Sequence, residues 1–169
     1  MKKIIIILFI LTIVNLVINT DSKIEIPSNA IRFRIIANSN SKEDQALKKI
    51  IKNDIEPGLM NKIYQAKSHD EAKKNIISYI PNIDKTMKKY DTSYEINYGN
   101  NYFPEKEYKG VTYKAGEYES LVITLGDGLG DNWWCVLFPP LCLLEADENN
   151  LEETEYKLYI NKIIDSIRN

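Results

Sequence analysis

Ile31-Arg32-Phe33-Arg34-Ile35-Ile36-Ala37-Asn38-Ser39-Asn40-Ser41 is the stretch that decides the fold class. Ile31, Phe33, Ile35 and Ala37 alternate with Arg32, Arg34 and Ile36, the two-residue period of a strand with one buried face. Asn38 to Ser41 then offer helix caps ahead of Glu43 and Asp44, and Leu47, Ile50, Ile51 and Ile55 follow at helical spacing. Further along, Pro57-Gly58 is expected to break or kink that helix. Ser68 with Glu71 three residues on reads as a capping box for a second helix carrying Ala72, Ile76, Ile77 and Ile80. Pro81 is expected to interrupt it, leaving Asn82 to Tyr90 as a short third helix.

From Tyr90 the pattern turns to strands. Tyr94, Ile96 and Tyr98 alternate, Gly110 to Gly116 is broken by turn residues, and Leu121, Ile123 and Leu125 alternate with Val122 and Thr124. Trp133 to Phe138 is a further short run stopped by Pro139-Pro140. Tyr156, Tyr159, Ile160, Ile163, Ile164 and Ile167 then make an amphipathic C-terminal helix. The expected fold is α+β: one small domain with a mixed or antiparallel sheet packed by three to four helices, in the order β-α-α-α-β-β-β-α.

Towards the N-terminus, Lys2 and Lys3 precede an apolar run from Ile4 to Ile18, the layout of a signal peptide or membrane anchor. Small residues are poorly placed before a cleavage point, which favours an uncleaved anchor. The positive-inside bias puts the remainder outside the cytoplasm. The expected organisation is therefore a leader at 1–20, a linker at 21–29 and a single extracytoplasmic domain at 30–169.

The chain has 169 residues, so beyond the leader one domain of ordinary size remains. With 44% hydrophobic and 27% charged residues it can bury a core and is not a disordered chain. A net charge of -2 argues against a surface built for phosphate backbones, so no nucleic-acid partner is expected.

Several clusters can carry chemistry. Gly126-Asp127-Gly128-Leu129-Gly130 superficially resembles a phosphate-cradling loop, but it lacks a lysine and adds acid; a tight turn between strands is the simpler reading. Glu117 and Glu119 share a strand face and could act as an acid–base pair or simply line a solvated face. Cys135 and Cys142 are the only cysteines. They form either a disulfide, as suits an oxidising compartment, or two buried thiols. His69 is the only histidine, which disfavours a zinc site and leaves a cysteine nucleophile without a second choice of base. His69 itself reads as an exposed residue in the first turn of its helix. No cofactor and no metal are expected. Arg32 and Arg34 share a face and either grip a partner's carboxylates or pair with Glu117 or Glu119 inside the sheet. Trp133 and Trp134 should point to opposite sides, one into the core and the other free as an anchor.

Ile31 to Ser39, Glu43-Asp44-Gln45, Ala115 to Glu119 and above all Asn132-Trp133-Trp134-Cys135-Val136-Leu137-Phe138-Pro139-Pro140-Leu141-Cys142 resemble the stage II sporulation protein R family. The resemblance spans about residues 30 to 145 in the family's order and spacing. Asn40 and Lys42 stand where the family pattern leads one to expect an acidic residue and a proline. The resemblance implies a protein made in the forespore and exported between the two membranes, secreted or anchored there by its N-terminal segment. It further implies activation of a mother-cell membrane aspartic protease of the stage II sporulation protein GA family, which processes the sigma-E precursor, with no catalysis of its own. The contact roles of Arg32, Arg34, Glu117, Glu119, Trp133 and Trp134 rest on their chemistry and not on the family. The alternative is an extracytoplasmic hydrolase acting on wall material through Glu117 and Glu119.

Overall fold

A computed structural model describes residues 24–108, 111–142 and 153–168. The leader expected at 1–20 lies outside them, and among the described residues no helix is long and apolar enough to cross a membrane. In chain order the elements are β1 (Ile24–Glu25), β2 (Ile31–Ile36), α1 (Lys42–Ile63), α2 (His69–Met87), β3 (Tyr94–Phe103), β4 (Lys106–Tyr108), β5 (Val111–Tyr113), β6 (Gly116–Leu125), β7 (Asn132–Phe138) and α3 (Glu153–Arg168). This is a small α+β domain with mixed sheets and three helices.

The main sheet has the order β3-β6-β2-β7 and the small one β1-β5-β4. β2 pairs in parallel with β6 and antiparallel with β7, while β3 runs antiparallel to β6. The register sets Phe33 opposite Leu121 and Cys135, and Ile123 opposite both Ile35 and Ile96. Because side chains alternate across a strand, these residues share one face, against which α1 and α2 close the larger apolar core. Ile55, Leu59 and Met60 of α1 and Ile76, Ile83 and Met87 of α2 complete it. A second, smaller core lies on the other face, where Val136 and the fringe of Trp134 meet Ile24, Ile26, Val111, Tyr113 and the Tyr156, Ile160 and Ile164 stripe of α3.

Three sequence expectations are corrected. α1 and α2 run through Pro57 and Pro81 without a break. Each proline removes one backbone donor, but the buried residues on both sides of it hold the helix on the sheet. Asn82 to Met87 is therefore the last part of α2, and no third helix follows before the strands. Gly58 has a packing role: a Cβ there would collide with the Tyr79 hydroxyl of α2. Three extra strands also appear: Val111–Tyr113, in the stretch read as broken by turn residues, and the two short strands that pair with it. Ile24–Glu25, inside the stretch read as linker, pairs in parallel with β5, and Lys106–Tyr108 pairs antiparallel with it. Two- and three-residue strands fall below what alternation can reveal.

Both helices are capped by side chains, the first by Ser41 out of the four candidates, the second by Ser68, although Glu71 accepts the Lys67 N–H and the capping box does not close. Ser41 accepts the Asp44 N–H at 3.1 Å and Ser68 accepts the Glu71 N–H at 3.2 Å. The glycine loop between β6 and β7 is a tight turn fastened to the end of β2. Gly130 and Leu129 donate to the Ala37 and Asn38 carbonyls, while the Asn38 and Asn40 side chains accept from Asp127 and Asp131. The N–H groups that would cradle a phosphate are thus already engaged. Gly126 and Gly128 sit at φ +53° and +65°, a left-handed region that favours glycine.

Candidate functional site

Arg32 lies on the face of β2 turned away from α1 and α2, and it is 1% exposed. Its guanidinium carbon stands 4.0 Å from the Tyr118 ring centroid, 4.8 Å from Phe103, 5.3 Å from Trp134 and 5.7 Å from Tyr113. Four aromatic rings thus surround a charge that no carboxylate among the described residues meets, and its Nε and Nη2 lack hydrogen-bond partners there. Burial pushes its pKa down, although an arginine so placed stays protonated. Cation–π attraction substitutes here for an ion pair. Arg34, half-buried two residues on, stacks 4.6 Å from Phe103.

The expected pairing with Glu117 or Glu119 is absent for a geometric reason. Arg32 is in register with Ser120, so Tyr118 and Ser120 share its face, and the odd-numbered residues of β6 turn to the helix side. There Glu119 meets Lys73 of α2 at 2.5 Å and His69 Nε2 at 3.5 Å. His69 is accordingly partly buried instead of free in solvent. Glu117 has the same parity and is exposed at the strand's start.

Trp133 and Trp134 do point to opposite sides, but neither is fully buried and neither is free. Trp133 packs edge-on to Phe33 at 5.5 Å on the larger core, with Lys52 Nζ 4.9 Å from its ring. Trp134 packs edge-on to Tyr113 at 4.8 Å on the smaller core, with Lys106 Nζ 5.0 Å away. Both border a cleft of about 310 Å³ lined also by Lys49, Lys52, Lys106 and Asn132. Sequence reading missed this cleft, because Lys49 and Lys106 come from elements that only the fold brings together.

Cys135 and Cys142 are joined, with their Cα atoms 5.1 Å apart. The buried Glu56 carboxylate approaches the two sulfurs, all three ligand atoms lying within 4.8 Å of one another. Bonded to each other, the sulfurs are not thiolates, so they offer neither a metal site nor a nucleophile. Glu56 Oε2 pairs with Lys52 at 3.1 Å, while Oε1 has no hydrogen-bond partner.

The fold and these features define a small disulfide-bonded α+β domain with an arginine-centred aromatic cage beside a cationic, tryptophan-lined cleft. The family model of stage II sporulation protein R matches residues 27–148. The stage II sporulation protein R of Bacillus subtilis (strain 168) is 39% identical over 153 residues, covering 84% of this chain and 68% of that protein. No solved structure matches. The chain belongs to the stage II sporulation protein R family, a family of sporulation proteins that is not named for an enzymatic activity.

Proposed function

We propose that this chain is the intercompartmental sporulation signal that its family resemblance implies. It is exported from the forespore, held in or released from the membrane by its N-terminal segment, and docks between the membranes on an aspartic protease of the stage II sporulation protein GA family. Docking favours the active state of the protease, which then processes the sigma-E precursor. A ligand shifts such an equilibrium only through higher affinity for one state. The observation that carries this reading is the family match across residues 27–148. Two features support it: the Lys2-Lys3 apolar leader in the sequence, and a disulfide of the kind that persists in oxidising compartments.

Burial takes Arg32 out of the contact set and leaves it as the support beneath Trp134. The docking surface is then Trp133, Trp134, Arg34 and the exposed Glu117, with Glu119 largely engaged by α2. The hydrolase alternative loses support on the same ground, since the Glu119 carboxylate faces a lysine and a histidine instead of a second carboxylate across a substrate. The test is sigma-E precursor cleavage in a non-sporulating host carrying the precursor and the protease, with and without this chain. Cleavage only in its presence is the expected result; unchanged cleavage overturns the proposal.

A further inference from the structure

We infer that the cleft at the Trp133–Trp134 end of β7 is a binding site for an extended, carboxylate-bearing peptide segment, added as a further strand to the edge of the main sheet. β7 is the last strand in the order β3-β6-β2-β7, so among the described residues its strand pairing is to β2 alone. The far end of its outer edge is closed, because the Leu141 N–H donates to the Val136 carbonyl at 3.1 Å. The near end opens into the cleft of about 310 Å³. An open edge presents unpaired backbone donors and acceptors, which an extended segment can satisfy.

The lining decides which segment. Lys49 and Lys52 stand on α1, on the Trp133 side, and Lys106 stands on β4, on the Trp134 side. Among the described residues Lys52 pairs with Glu56, whereas neither Lys49 nor Lys106 is in an ion pair. Two exposed cations without a carboxylate partner among the described residues, beside the same strand edge in a chain of net charge -2, call for anionic ligand groups. A compact anion is gathered by converging donors, but these lysines flank the sheet edge from opposite sides. Successive side chains of an added strand also point to opposite sides, so two adjacent carboxylates would meet Lys49 and Lys106 in turn. The indoles supply the flanking apolar walls that peptide anchors use.

This inference rests on the docking reading above and supplies its contact chemistry. Both tryptophans of the chain line the cleft, so intrinsic fluorescence reports on it directly. The full chain, purified in a non-ionic detergent, is titrated with the capped peptide Thr-Val-Glu-Glu-Val-Thr. A saturable emission change is expected that weakens with salt, that the Gln-Gln analogue does not produce, and that needs about tenfold more peptide in Lys49→Glu/Lys106→Glu. An unchanged melting temperature of the variant shows that it folds. The inference is overturned by no emission change, by an equal response to the Gln-Gln peptide, or by the same response to inorganic phosphate or to phosphatidylglycerol vesicles. Peptide binding without protease cleavage of the precursor in the presence of the unsubstituted chain would defeat the docking reading alone. Cleavage without peptide binding would defeat this inference alone.

Discussion

On the helix side of the main sheet, Phe33, Ile35, Leu121 and Ile123 bury hydrocarbon against hydrocarbon, whereas on the other side the same strands bury the charged Arg32 among four aromatic rings. The first face gains its stability from area removed from water, which is indifferent to detailed geometry as long as volume is conserved. The second depends on where each ring stands, because a guanidinium without a carboxylate is tolerated only over π faces at close range. The apolar face thus builds the domain, while the cage fixes Trp134 at the mouth of the cleft. The difference shows that a buried charge can be a positioning device and need not be a binding group.

The largest effect should come from the apolar face. Leu121→Ala should cost about 3 kcal/mol in a denaturant titration, and a loss under about 1 kcal/mol would break the assignment of that face as the principal core. Replacing both Cys135 and Cys142 by Ala, which opens a loop of sequence separation 7, should cost about 2.5 kcal/mol by the same measurement. Arg32→Lys keeps the charge but loses the planar stack, so it should cost about 2 kcal/mol and red-shift Trp134 emission. A silent Arg32→Lys would reduce the cage to mere space filling and erase the contrast between the two faces. Ser41→Ala removes a cap remote from both faces and should cost about 1 kcal/mol.

The smallest effect concerns pH. Hydrogen bonds donated first by the Ser39 hydroxyl and then by the Asn38 amide hold the Asp44 carboxyl below the usual carboxylate range. A depressed folded-state pKa contributes stability that is present above the ordinary carboxylate pKa and is lost as pH falls through the lower folded value. Asp44→Asn should therefore flatten the acid limb of the midpoint-against-pH curve relative to the unsubstituted chain. Parallel acid limbs would remove Asp44 from the account.

Local signals carried much of the fold. The alternation over Ile31 to Ala37, the caps at Ser41 and Ser68 and the inward placement of Tyr156, Ile160 and Ile164 are present, while Tyr159 of the expected stripe is exposed. Pro57 and Pro81 misled because a helix held down by a core can absorb one lost hydrogen bond, and core packing is not a local property. The candidate site was less legible. Adjacent tryptophans were readable as lying on opposite sides, but what each would meet was not. The parity of Glu119 was readable, but the strand facing it was not.

By itself, the sequence determined which residues share a strand or helix face, where helices begin, and the family, because these depend on periodicity and on motifs of contiguous residues. Only the tertiary structure decided that Arg32 is buried in a cage of aromatic rings, that Glu119 meets Lys73, that Cys135 and Cys142 are bonded, and that Lys49 and Lys106 flank one cleft. The physical reason is register. The pairing of β2 with β6 and β7 and the lie of α1 and β4 beside them bring together residues far apart in the chain, and no local period encodes that.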